Sequence, residues 1–397
     1  MSFLNEKAKS LKPSETLAVK ARATELKAQG REIVDLSTGE PDIDTPEHIK
    51  LAAYEAMKKG KTKYTPVQGI PELREAIANK LKNENHINTA AKQIVVTNGG
   101  KQALFNLFDC TLSPGDEVVV IAPYWVSYPA MIEMAGGVSK IVMGDRNNGY
   151  RVSPEQLKSA LTDRTKFVII NSPSNPTGLA YTAEELRELG KVVSTSKAMV
   201  VSDEVYEKVT YGGFKFSSFE PACPEMAGRV VTVNAFSKSY SMTGWRCGYA
   251  SGPFEIIDAM IKHQSQSTSG INSITQYAAL AALTGDHTFI SKMNESFARR
   301  IALGIEELES ANLKVWCRPQ GAFYLFVDFS ELVKVSSNPV VKDSAAFTAF
   351  LLDEAGVASV PGQAFGDNQC FRISVAASDS EVEKGVKAIR KAVSTLK

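Results

Sequence analysis

Histidine is scarce in this chain of 397 residues: there are four, and no two stand at a metal-ligand spacing such as H-x-x-x-H. The five cysteines, Cys110, Cys223, Cys247, Cys317 and Cys370, are odd in number and scattered, with no C-x-x-C among them. That argues against a zinc site and against a disulfide framework, and suits idle thiols in a reducing compartment. Charge of one sign is also missing. A net charge of +1 leaves no basic footprint for nucleic acid or a membrane surface, and no acidic tail. No run approaches the roughly 20 apolar residues of a membrane span. The opening MSFLNEKAKSLKPSE is charged and lacks the apolar centre of a signal peptide. Internal repeats and low-complexity stretches are absent too. The default expectation is a cytoplasmic enzyme without a metal.

What is present is an ordinary globular composition, 44% apolar and 22% charged, at a length suited to two domains. From about Ile94 to Val233, short β-rich runs alternate with helical stretches. The runs are IVVT (94–97), VVVI (118–121), FVII (167–170), MVV (199–201) and VVTV (230–233). One intervening segment opens with Thr182 and Glu185 at the spacing of a capping box. Strands that are apolar throughout, with helices between them, predict an α/β fold whose mostly parallel sheet is covered on both faces. A large domain is expected over 48–300. Residues 1–47 and 301–397 would supply an N-terminal arm and a smaller α/β domain.

In open α/β sheets ligands bind beyond the carboxyl ends of the strands, so the residues following each run are informative. The first run is followed by Asn98, Gly99, Gly100 and Lys101 and then a helix; the second by Pro123, Tyr124 and Trp125. The third leads into S-P-S-N-P-T-G with Asn175, the fourth into Asp203, Val205 and Tyr206, and the fifth into Ser237 and Lys238, with Arg246 eight residues on. Singly, each has a plain structural reading: a turn, a filler aromatic, a helix cap, a solvated lysine. Two glycines before a helix nevertheless leave N–H groups facing a positive helix end, which suits an anion. Five such exits on one sheet suit a charged, planar, phosphorylated cofactor. No G-x-G-x-x-G follows the first run, which argues against a nicotinamide dehydrogenase.

These segments resemble the class I aminotransferases of pyridoxal-5′-phosphate (PLP) fold type I. The likeness rests on S-P-S-N-P-T-G (172–178), S-D-E-V-Y (202–206), F-S-K-S-Y-S-M-T-G-W-R-C-G-Y (236–249) and F-R-I-S (371–374). It extends to S-T-G-E-P-D-I-D-T-P-E-H (37–48), K-Y-T-P-V-Q-G-I-P-E-L-R (63–74), T-N-G-G-K-Q-A-L (97–104) and P-Y-W-V-S-Y-P (123–129), and so covers essentially the whole chain. The subgroup it looks most like is the bacterial aspartate aminotransferases, some of which also use prephenate.

The resemblance implies roles residue by residue. Lys238 would hold PLP as a Schiff base and then move the proton between the substrate Cα and the cofactor. Asp203 would keep the pyridine nitrogen protonated, and Asn175 and Tyr206 would bond the ring oxygen. Trp125 would stack on one ring face with Val205 on the other. Gly99, Gly100, Lys101, Arg246 and Tyr64 of a second subunit would bind phosphate, with Ser237 standing in for the hydroxyl missing at Ala235. Arg372 would grip the substrate α-carboxylate with help from Asn175, Trp125 and the Gly39 backbone. Lys101, Ser14 and Thr16 would meet a distal carboxylate. The implied activity is ping-pong amino transfer between aspartate or glutamate and a 2-oxo acid, in a homodimer with shared sites.

Two features depart from the family pattern: Ala235 stands where Ser or Gly is usual, and Cys247 where an aliphatic is usual. Aromatic, methionine or kynurenine aminotransferases and PLP β-lyases share the fold and remain alternatives. A non-catalytic PLP-sensing regulator would carry a basic DNA-binding domain ahead of the aminotransferase-like part. The family-like sequence starts by about residue 10, which leaves no room for one.

Overall fold

The five apolar runs all become strands of one sheet. In the computed structural model, which describes residues 3–5, 8–9, 11, 15–336 and 338–396, they are β2 (Ile94–Thr97), β3 (Glu117–Ala122), β5 (Thr165–Asn171), β6 (Met199–Asp203) and β7 (Val230–Ala235). Their β-branched side chains are buried on both faces, and every residue of β2 and β7 is buried. Two further strands lie outside those runs, β4 (Val138–Met143) and β8 (Gly248–Ser251). The sheet order is β2-β8-β7-β6-β5-β3-β4. Only β8 is reversed, antiparallel to both β2 and β7. The connection from β7 to β8 holds a single helical turn, Phe236–Ser239, too little for a parallel crossover, so the chain returns antiparallel. Since β8 alone is reversed, β2, β3, β5, β6 and β7 end at the same edge.

Helices cover both faces. The capping box read from the sequence forms: the Thr182 hydroxyl accepts from the Glu185 N–H at 3.2 Å, and the Thr182 N–H donates to the Glu185 carboxylate at 2.7 Å.

The smaller sheets draw on both parts of the chain. Strand β1 (Val34–Asp35) pairs parallel with β10 (Val357–Ala358). The antiparallel sheet β11-β12-β9 is made of β9 (Tyr324–Asp328), β11 (Val360–Pro361) and β12 (Cys370–Ser374). The helix Thr288–Ser310 runs unbroken through residue 300. Its Arg300 joins Asp42 at 2.9 Å and Asp379, tying early and late segments together. Arg146 bridges Asp328 at 2.9 Å and Asp367 at 2.6 Å, which anchors the β9–β12 pair to the loop after β4. Among the described residues no helix is long and apolar enough to cross a membrane, and no three His, Cys, Asp or Glu residues cluster as a metal site.

Candidate active site

The strand ends and the β9–β12 sheet enclose a cleft of about 460 Å³. Gly39, Gly100, Lys101, Trp125, Asn175, Asp203, Tyr206, Ser237, Lys238, Arg246 and Arg372 all line it, as does Val205. Gly99 lies just behind, with φ +79° at the start of the helix Gly100–Thr111, and a Cβ there would meet the Arg246 guanidinium at 2.6 Å. Glycine therefore permits both the turn and the close approach of arginine. Arg246 itself has φ +55°, and its guanidinium donates to Thr243 O at 2.9 Å and Asn98 O at 3.3 Å. The first N–H groups of a helix lack intrahelical acceptors, so the opening of the Gly100 helix beside Arg246 is built for an anion.

Asp203 ends β6 beside Asn171, its partner in register on β5. One carboxylate oxygen accepts from Tyr128 Oη at 2.5 Å, the other from the Val205 N–H at a long 3.4 Å. Burial pushes its pKa up to about 6 against the pull of those two bonds. The loop that follows is pinned from beneath. Glu207 forms a buried ion pair with Lys80 and accepts from Asn85 at 2.7 Å. Glu204 accepts from Ser202 and Ser218 hydroxyls, each at 2.7 Å. With both flanks held, Tyr206 has little freedom to move.

Lys238 follows β7 on the short helical turn. Its Nζ donates to Gly39 O at 2.5 Å. Desolvation, with smaller contributions from the Arg372 and Arg246 charges, lowers its pKa to about 8, while Glu40 opposes. A buried amine with that pKa is available as nucleophile and base near neutrality.

Arg372 on β12 is buried. It donates to Asn175 Oδ1 at 2.9 Å and Ser37 O at 2.7 Å, and its guanidinium carbon lies over the Tyr324 and Phe365 rings, 4.5 and 5.0 Å from their centroids. Its Nε has no partner, and among the described residues no carboxylate forms an ion pair with it. A buried, preorganised guanidinium with a free donor is incomplete without an anion. Asn175 gives its oxygen to Arg372, which leaves its amide donors for a second acceptor. Trp125 packs edge-on to Tyr128 at 5.3 Å, and Lys101 Nζ lies 5.1 Å from its ring centroid. Desolvation, and then the Arg246 charge, lower the Lys101 pKa.

Tyr64 does not line the cleft of its own chain and is fully exposed. Ser14 lies outside the described residues, and Thr16 sits in the helix Glu15–Ala28 with its side chain undescribed. Conversely, Tyr128, Tyr324 and Glu40 line the cleft and were not singled out in the sequence. For Tyr128 a signal exists, since it follows Trp125 by one helical turn.

The sequence matches the family described as "Aminotransferase class I and II" over residues 31–389. The chain belongs to that family. This aminotransferase is 46% identical over 388 residues to the aspartate aminotransferase of Geobacillus stearothermophilus, with 98% of each chain covered. It is 45% identical over 394 residues to a probable aspartate/prephenate aminotransferase of Rhizobium leguminosarum bv. phaseoli, again with 98% of each covered. Among solved structures, it superposes on the aspartate aminotransferase from Thermus thermophilus with maleate at a TM-score of 0.92 and 44% identity. That match covers 99% of this chain and 100% of the other. The family is PLP-dependent, and the donor set of this aminotransferase fits PLP: a desolvated amine, a buried carboxylate for a ring nitrogen and an anion-competent helix end.

Proposed function

We propose that the chain is a PLP-dependent aspartate aminotransferase, which exchanges an amino group between aspartate or glutamate and a 2-oxo acid. The observation that carries this reading is the buried Arg372, its Nε without a partner, lining one cleft with Lys238 and Asp203. PLP, when bound, supplies a ring that takes up the electron pair left as the substrate loses its Cα proton. Asp203 holds a proton at the ring nitrogen. Tyr206 and the Asn175 amide orient the ring oxygen, Trp125 and Val205 pack its faces, and the Gly100 helix end with Ser237 and Arg246 receives the phosphate. Lys238 would hold the cofactor through its amine and, when that amine is free, would carry the proton from the substrate Cα. Arg372 fixes the α-carboxylate so that the Cα–H bond faces Lys238. Among the described residues, three cations besides Lys238 (Lys101, Arg246 and Arg372) line the cleft against Asp203 and Glu40, which suits a phosphate and a dicarboxylate together.

The reading is tested by screening amino donors against 2-oxo acids, prephenate included, with the purified PLP-loaded protein. Preference for apolar donors would overturn the choice of aspartate. The distal carboxylate is assigned to Lys101, which lines the cleft, with Ser14 and Thr16 of the N-terminal arm as further polar contacts. Lys101→Ala should lower kcat/KM for aspartate roughly ten- to a hundred-fold, the worth of one charge-assisted contact, and change it little for alanine or phenylalanine. An equal loss for all three would place Lys101 at the phosphate.

Tyr64, exposed on its own chain, is assigned to the phosphate of a neighbouring subunit, which makes the functional unit an isologous homodimer. Mixing Tyr64→Phe chains with Lys238→Ala chains should then yield hybrids in which one site carries both lesions and the other neither. Activity should exceed that of either parent variant. A strictly monomeric active protein in sedimentation would exclude the shared site.

A further inference from the structure

We propose that Tyr324 is a positioning residue that links the carboxylate grip of Arg372 to the hydrogen bond that Tyr206 offers the cofactor. The inference rests on the reading above and goes beyond it. Tyr324 begins β9, in register with Ser374 on β12, so Arg372 is its diagonal neighbour on the same face. The Tyr324 ring carries the Arg372 guanidinium at 4.5 Å, and its hydroxyl lies 2.9 Å from that of Tyr206. Both rings are buried, and the two meet edge-on at 5.9 Å. Only glycine at position 39 leaves room for this hydroxyl, since a Cβ there would stand 2.4 Å from it. The same Gly39 accepts the Lys238 bond, so the phenol sits where the carboxylate grip, the ring-oxygen donor and the amine converge.

Each phenol has one proton to give. If Tyr206 gives its proton to the ring oxygen, the bond between the two hydroxyls must run from Tyr324 to Tyr206. The donors then form a chain, Tyr324 to Tyr206 to ring oxygen, in which each bond polarises the next. The Arg372 charge against the Tyr324 ring favours the phenolate and so strengthens Tyr324 as a donor, in opposition to burial. A carboxylate on Arg372 neutralises that charge, so occupancy of the grip is felt at Tyr206 without movement of either ring.

Two variants separate the hydroxyl from the ring. In the PLP-loaded protein, Tyr324→Phe keeps the ring over Arg372 and removes the donor. The ring oxygen is then less well stabilised and its charge holds the neighbouring proton more tightly. The pH midpoint of the visible absorbance should therefore rise by about 0.2–0.6 unit, with the maleate Kd unchanged within about twofold. Tyr324→Leu should show the same rise and also weaken maleate roughly two- to thirty-fold, because the stacked cation loses its ring. An unmoved midpoint in Tyr324→Phe, or an equal loss of maleate affinity in both variants, would overturn the coupling. Failure of the wild-type chain to take up PLP would instead overturn the proposed function, and the coupling with it.

Discussion

Lys238→Ala should lower kcat by at least about 10⁴-fold, the upper end for a single positioned proton-transfer group. The structure gives the reason in physical terms. An amine stripped of water, with its pKa brought down to about 8, is partly unprotonated at neutral pH, and no other lysine of the cleft is aimed at the Gly39 carbonyl. Among the described residues Lys101 is the only other lysine lining the cleft, and its Nζ lies over the Trp125 ring. Borohydride reduction of the PLP-loaded wild type, followed by peptide mapping, should place the label on Lys238. A label on Lys101 would refute the assignment. The cofactor-free protein offers a separate check. A lysine whose pKa falls from 10.5 to about 8 on folding leaves the unfolded chain holding more protons between those values. Stability on its account therefore decreases as pH falls through that window and is lowest below about 8. The difference in Tm between Lys238→Ala and wild type should move in the variant's favour over the same range.

Much of this site was legible in the sequence because the sheet was. Five apolar β-branched runs gave five strand ends, and residues placed just after a parallel strand have little choice but to meet at its carboxyl edge. Asp203, Asn175 and Lys238 are of this kind. Strand β8 was not legible, because the run GYAS has neither alternation nor a run of branched residues, and its role is set by the short return from β7. Strand β4 was obscured by its edge position, where Val138, Ile141 and Met143 stay exposed and polar residues intervene. Tyr128 and Tyr324 escaped for another reason. A tyrosine on a helix face or a strand reads as core, and only folding shows that each hydroxyl ends on another residue of the cleft, Asp203 in one case and Tyr206 in the other. Arg372 is intermediate: its motif pointed to the substrate, but its burial against two rings without a counter-ion is a property of packing alone.

Asp203→Ala should slow turnover by about 10²–10³-fold or more, the range for removing one preorganised electrostatic contact, with a much smaller change in KM. A carboxylate beside a ring nitrogen acts on the charge that develops as Cα is deprotonated, so its loss falls on the transition state and not on substrate binding. Near-native turnover with a raised KM would make Asp203 a structural residue instead. Its protonation supplies a second readout. Folding raises this carboxyl from 3.8 to about 6, so between those values the folded cofactor-free chain binds more protons than the unfolded one. Stability contributed by this group is present below about 3.8 and is lost as pH rises through about 6. Asp203→Asn keeps an acceptor for Tyr128 but cannot ionise, so in the cofactor-free protein its Tm relative to wild type should rise across that window and level off above it. A flat difference would mean that Asp203 is not desolvated as the structure shows. Bound PLP should reverse the ordering, because a protonated ring nitrogen stabilises the Asp203 carboxylate, and the stability gained on adding PLP should be larger for wild type than for Asp203→Asn.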